Sequence, residues 1–336
     1  MKNSEIKKVL FITYFFSEND GVGAQRSRSL YYFLQTKGVQ VSVISKEKNP
    51  LILICKLIYS LIFKSYDKVY LSCGPFNYLL VVSLLCFVSR KKLIIDFRDA
   101  WSINIFSNYG KGGVNRGWKY FVSVFIEKIS YISCDKFVVC TLGMYDKYTT
   151  LFGEDKKLFL IENGYDFDSH EKRVVNENNN LSLVCIGKFA EYDYDKARLT
   201  IEFIKKECQY KRKVTINFVG SNKKENEKLM NELNTDFIVN FYPRMSYSNA
   251  VKIAQKCDVG LLVIRDEDID YGTKFFDYVG LGLPFYAYLD QNKNFYKVFN
   301  KFLYDFNKNS ANFDQSDIQK YCRKNQFEKF KGILFS

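Results

Sequence analysis

The chain has 336 residues and a net charge of +13, from 50 lysines and arginines against 37 acids. Apolar residues make up 47% and aromatics 17%, which excludes wholesale disorder; 18 glycines and 4 prolines exclude a collagen-like or mucin-like chain. The length suggests two domains, and a single histidine leaves little for a histidine-based metal site.

Val9–Tyr14 reads as a buried strand. The apolar run that holds it ends in a polar segment, Ser17 to Gly21, and lacks a small-residue cleavage site, which argues against a signal peptide. Gly21 to Gly38 reads as a loop and a helix, with Gly38 as the stop. Then come a strand (Val39–Ser45), a helix (Leu51–Phe63), a strand (Lys68–Ser72), a helix (Tyr78–Ser89) and a strand (Lys92–Asp96). A helix (Gly117–Ile132), a strand (Lys136–Cys140), a helix (Gly143–Leu151) and a strand (Lys157–Ile161) complete the first half. Val69–Ser89 is uncharged but is split by Gly74, Pro75 and Asn77, and Leu51–Phe63 is interrupted by Lys56. Both fall short of the roughly 20 apolar residues of a membrane span and read as buried or surface-seeking helices.

Asn163–Asn180 is polar, rich in Asn and holds His170, read as a solvated surface residue; it marks the domain boundary. The alternation then restarts. Strands at Leu181–Ile186, Val214–Val219, Phe237–Phe241, Val259–Val263 and Pro284–Leu289 are separated by helices at Asp195–Glu207, Lys224–Leu233, Tyr247–Gln255 and Lys274–Gly280. The tail, Asp317–Ile333, reads as helical. Such alternation implies parallel βαβ units. The expected fold class is α/β, with two facing Rossmann-like domains. The first covers 1–165, a linker 166–180, the second 181–316, and a C-terminal helix over 317–336 packs back on the first. Ligands of these sheets bind beyond the carboxyl ends of the strands, so one domain can hold a donor and the other an acceptor.

The basic excess is uneven: 23 basic and 13 acidic residues in 1–165, against 27 and 24 in 166–336. The first half therefore favours an anionic partner: nucleic acid, lipid headgroups or a phosphorylated substrate. The nine cysteines form no CxxC pair, which leaves reduced, buried thiols of a cytosolic protein.

Gly21 and Gly23 follow the first strand, with Arg26 and Arg28 one turn into the helix. A third glycine and an acid at the end of the second strand are missing, which disfavours NAD. Close backbone access for a ligand and a plain turn both stay open. Asp96, Arg98 and Asp99 stand at the end of a strand, where they orient hydroxyls, accept a proton, or form a structural ion pair. In the second half Gly187 and Lys188 follow a strand, with Lys196 eight residues on, and Gly220-Ser221 repeats the pattern. A glycine and a lysine there suit a diphosphate. Gly272 and Thr273 precede the helix at Lys274, and Asp277 stands where it can accept hydroxyl hydrogen bonds.

Taken in order, these pieces resemble a GT-B glycosyltransferase of the family-4-like group, retaining and nucleotide-sugar-dependent, of the kind that builds bacterial capsule, O-antigen or exopolysaccharide. The resemblance rests on the early glycine loop, DFRDAW at 96–101, CDKFVVCTLGM at 134–144, IENGYD at 161–166, VCIGKF at 184–189, NFVGS at 217–221, QKCDVGLLV at 255–263 and TKFFDYVGLGLPF at 273–285. It implies that Lys188 contacts the donor diphosphate, that Gly272, Thr273 and Lys274 hold the distal phosphate, and that Asp277 binds the donor ribose. It places the Gly21–Gly23 loop near the donor phosphates and the acceptor, and it implies no metal and no cofactor beyond the nucleotide-sugar co-substrate. Catalytic assistance then falls to Lys188, Lys274 and, on the acceptor side, Asp99 with Asp96 and Arg98.

Two departures stand out. The first acid of the family's pair falls at Ile269, and the second basic donor residue falls at Tyr194, with Lys196 nearby. They keep two alternatives in view: a catalytically inactive partner protein, and a sugar-nucleotide epimerase of the same fold. The expected partners are an NDP-sugar, a saccharide or polyprenyl-diphosphate-linked acceptor, and an anionic membrane surface at the inner face of the cell membrane. Arg90, Lys91, Lys92, Lys111, Arg116 and Lys119 surround apolar segments with Trp101 and Trp118. No RRM, KH, zinc or helix-turn-helix signature accompanies the charge, so nucleic acid is not an expected partner.

Overall fold

The inner strands of the first half are largely apolar and buried, as strands covered on both faces of a parallel sheet are. The computed structural model describes residues 7–17, 20, 22–110, 114–153, 156–166, 180–208, 212–269 and 271–336. The chain divides into two compact units, Met1–Asn163 with Gln326–Ser336, and Gly164–Asn325. Most of the segment read as a linker, 167–179 with His170, lies outside the described residues, as do Gly21, Lys111 and Asp270.

Unit one alternates β1 (Lys8–Thr13), α1 (Val22–Thr36), β2 (Gln40–Ile44), α2 (Pro50–Phe63), β3 (Lys68–Cys73), α3 (Leu79–Val88) and β4 (Leu93–Phe97). It continues with α4 (Trp101–Phe106), α5 (Trp118–Ser133), β5 (Lys136–Val139), α6 (Leu142–Phe152) and β6 (Leu158–Leu160). All strands are parallel, in the order β2-β1-β3-β4-β5-β6. Local chemistry sets the ends: Asn49 caps α2 by accepting from the Leu51 amide with Pro50 at the first position, Thr141 caps α6, and Gly38 leaves α1 at φ +75°. Leu30 and Leu34 of α1 share one core cluster with Phe327, Phe330 and Leu334 near the C-terminus. Helix α2 packs against α3, and α3 against α5.

Unit two runs β7 (Asn180–Ile186), α7 (Tyr194–Cys208), β8 (Lys213–Val219), α8 (Lys223–Glu232), β9 (Ile238–Tyr242), α9 (Tyr247–Ala254), β10 (Val259–Leu261), α10 (Lys274–Gly280) and β11 (Phe285–Tyr286). Then follow α11 (Asn294–Phe299), α12 (Gln315–Lys320) and α13 (Arg323–Leu334), whose last residues belong to unit one. The sheet is parallel, in the order β11-β10-β7-β8-β9.

Several elements differ from the sequence reading, which had no helix at α11 and ran the strand at β10 on to Val263. The single tail helix is two, α12 and α13, because the backbone between them pairs elsewhere: the Tyr165 amide donates to Tyr321 O at 3.1 Å and the Arg323 amide to Tyr165 O at 2.9 Å. The last strand stops at Tyr286 rather than Leu289, since the Tyr288 amide donates to the Thr200 hydroxyl at 3.2 Å instead of a ladder partner. Helix α4 had no sequence signal long enough to show. The nine cysteines are free thiols, with Cys55 exposed and Cys322 half-buried.

Candidate functional site

In unit two, three glycine-bearing loops stand at the carboxyl ends of the strands. Gly187 ends β7 at φ +76°, Gly220 ends β8 at φ +71°, and Gly272 precedes α10 at φ +66°; all three are left-handed conformations that glycine adopts without strain. Glu191 ties two of these loops together, accepting from the Phe189 amide at 3.0 Å and the Asn222 amide at 2.8 Å. Lys274, the first residue of α10, lies across Gly187: a methyl group on that glycine would overlap the Lys274 amine. A glycine and a lysine 87 positions apart therefore form one element, an ammonium held over an open stretch of backbone. Lys188, next along the loop, is exposed. Thr273 is the N-cap of α10, but its side chain makes no capping hydrogen bond.

Asp277 lies one turn into α10, nearly buried. Its Oδ1 accepts the Tyr247 hydroxyl at 2.5 Å. Burial raises its pKa from 3.8 to about 6, against the lowering effects of the Tyr247 hydrogen bond, Arg323 and Lys274. Arg323 in turn donates to Asp166 at 2.8 Å and to the Gly164 carbonyl at 2.6 Å.

Two candidates are corrected. Lys196 does not reach this group. Its amine is held by Glu267 at 2.6 Å and by the Ile264 carbonyl at 2.6 Å, so it anchors the segment after β10. Asp96 is not at a rim. It is fully buried and chelated by Arg26, at 2.9 and 3.1 Å, and it accepts the Tyr70 hydroxyl at 2.7 Å. Arg26 also donates to the Ile161 and Glu162 carbonyls, which makes it a core brace rather than an anion contact. Burial alone would lower the Arg26 pKa, but Asp96 more than offsets this and raises it, so the guanidinium stays charged.

Arg98 and Asp99 do come near the glycine loops of unit one. Arg98 Nη1 donates to the Gly23 carbonyl at 2.6 Å, and Asp99 Oδ2 would stand 3.1 Å from a β-carbon on Gly74. Asp99 is exposed. The carboxyl ends of β3 and β4 and the start of α1 thus contribute Gly74, Arg98, Asp99 and Gly23 to one neighbourhood. Gly74 was missed in the sequence, where it read only as a break in an apolar run.

Sequence reasoning also missed Tyr247, Glu191 and Arg244. Arg244 is exposed and its α-carbon would lie 3.6 Å from a β-carbon on Gly220. Its signal was available: it follows the end of a strand, as Lys188 does. Ile269, at the position of the family's first paired acid, is buried. Among the described residues, no group of three or more His, Cys, Asp or Glu side chains could hold a metal ion.

The architecture has close counterparts among solved structures. HepE from Anabaena, solved with UDP and glucose, superposes with a TM-score of 0.64 at 13% identity, over 98% of this chain and 100% of that one. The fold is GT-B. A second GT-B match is the lipopolysaccharide outer core galactosyltransferase WaaB in its apo form, with TM-score 0.62 and 12% identity over 98% and 99% of the two chains. A Listeria monocytogenes protein described as a UDP-N-acetylglucosamine 2-epimerase gives 0.51 and 12%, over 83% and 78%. No protein-family model matches the chain, and no curated protein matches its sequence.

Proposed function

We propose that this GT-B protein is a glycosyltransferase that moves a sugar from a nucleotide-sugar donor to a saccharide or lipid-linked saccharide, with retention, in bacterial surface polysaccharide synthesis. The observation that carries the reading is Lys274 lying over Gly187, an ammonium beside open backbone at the carboxyl end of a central strand. That arrangement suits the diphosphate of an NDP-sugar: close main-chain approach plus a point charge. Lys188 and Arg244 add charge beside it, and Asp277 accepts ribose hydroxyls. The bond from the anomeric carbon to the diphosphate breaks as these cations neutralise the leaving group, and the acceptor oxygen bonds to the same face of that carbon. Asp99 is the acceptor-side candidate for the hydroxyl proton. The scheme calls for no metal or cofactor. GT-B relatives solved with UDP support the donor class, and WaaB supports a polysaccharide role.

Replacement of Lys274 by alanine tests the assignment. Loss of a charge-assisted contact to phosphate, at about 1.5–3 kcal/mol, should lower turnover at limiting donor by roughly ten- to a hundredfold. Unchanged turnover at limiting donor would remove the phosphate role.

A second reading has a specific observation behind it. Ile269 cannot make the polar contact of the family's first paired acid, which fits a catalytically inactive partner protein that binds NDP-sugar without transfer. The fold also houses a protein described as an epimerase. Release of free UDP together with glycosylated acceptor separates transfer from both.

A further inference from the structure

Helices α2, α3 and α5 each expose large apolar side chains on their outer faces, and α5 does so over a mainly polar inner side. On α5 the buried side holds Ser123, Glu127 and Ser130, whereas Trp118, Phe121, Phe125 and Ile132 are 59–71% exposed. Their spacing puts them on one stripe. On α3 the inner side holds Leu79, Val82, Ser83 and Cys86, while Val81, Leu84, Phe87 and Val88 face out. On α2 Leu51, Ile52, Ile62 and Phe63 are exposed, while Leu53, Leu57, Ser60 and Leu61 are buried. Because α3 packs against both α2 and α5, these stripes belong to one helical layer. Monomers in water rarely expose so broad an apolar surface.

The charges match. The three helices carry one acid, Glu127, and it is fully buried. Lys64 follows α2, Arg90, Lys91 and Lys92 follow α3, and Lys119 and Lys128 are exposed on α5. No helix among the described residues is long and apolar enough to cross a membrane. We infer that the outer face of α2, α3 and α5 is a docking surface for an anionic lipid bilayer, with Trp118, Phe121, Phe125, Phe87 and Phe63 entering at headgroup depth. Apolar side chains there gain from burial while the cations remain with the lipid phosphates. Self-association fits less well, since a two-fold contact sets the patch against itself and lysine against lysine. Trp101 takes no part: it stacks on Phe76, with ring centroids 4.7 Å apart.

The inference deepens the proposed function by naming where the protein meets its membrane. It rests on that reading only for the nature of the acceptor. Vesicle binding needs no transfer activity, so the two fail separately. The test is flotation of the full-length protein with vesicles of phosphatidylglycerol and phosphatidylcholine, beside vesicles of phosphatidylcholine alone. The protein should float with the anionic vesicles. The double variant Phe121→Ser/Phe125→Ser should partition at least about tenfold less, given the apolar area each ring contributes. Its unfolding midpoint should match the parent's. In a Trp101→Phe background, Trp118 emission should shift to the blue on vesicle addition. Equal binding to both vesicles, no binding to either, or a double variant that floats like the parent overturns the proposal. So does a concentration-dependent dimer, seen by sedimentation velocity, that the double variant abolishes in place of vesicle binding.

Discussion

Asp277, one turn into α10, and Asp96, near the end of β4, are both buried acids. Asp96 is saturated: Arg26 takes both oxygens and Tyr70 a third bond. Asp277 has one hydrogen bond, from Tyr247, and lies close enough to Lys274 to be influenced by it. A hydroxyl donor needs the ionised carboxylate, so donor affinity should be full well above pH 6 and fall as pH drops through about 6. Tyr247→Phe removes a contact that holds the pKa down, and the fall should move to higher pH. Calorimetric titration of NDP-sugar across a pH series checks this; a shift toward lower pH in the variant contradicts it. The sequence could not separate the two acids, because the partner that decides each case lies 70 positions away for Asp96 and 30 for Asp277. Lys196 failed for the same reason. It lies near the position of a second donor cation, but Glu267, 71 positions on, holds it.

Helix α5 shows what element-scale reading does and does not capture. Its extent was legible from a 3.6-residue repeat, but the inner side of that repeat is polar. Glu127 sits there, accepting from the Ser102 amide at 2.8 Å, from the Ser102 hydroxyl, and from the Tyr148 hydroxyl at 3.1 Å. Burial raises its pKa from 4.5 to about 7, and these hydrogen bonds only partly offset that. The folded state therefore binds the proton more tightly than the unfolded one between those values. Stability from this group is greatest below about pH 4.5 and is lost as pH rises toward 7, by about 3 kcal/mol at 1.36 per unit. Glu127→Gln should flatten that part of the pH–stability profile, measured by urea unfolding at pH 5 and pH 7.5. An unchanged slope would place the titration elsewhere. Strands and helices were readable because buried parallel strands are unmixed apolar runs. The tail helix was misread because its break is made by pairing with Tyr165, far away in the chain.

At the scale of the molecule, the charge of +13 acquires a place. The first half holds most of the excess, and several of those cations flank the exposed apolar layer of α2, α3 and α5 rather than a groove for nucleic acid. The GT-B architecture was legible from the order of its strand–glycine junctions. Which sides of α2, α3 and α5 are exposed was not, because a run such as Leu51–Phe63 looks the same whether its outer side is buried or exposed. The second half is close to balanced in charge, with a few of its cations at strand ends, and the proposed donor site depends on one of them. The most direct test is thermal unfolding of the wild type and Lys274→Ala with UDP-, GDP- and dTDP-sugars. One nucleotide class should raise the wild-type midpoint by several degrees, and Lys274→Ala should lose most of that rise. No rise with any of them, or an equal rise in both proteins, would contradict the donor site described for Gly187 and Lys274.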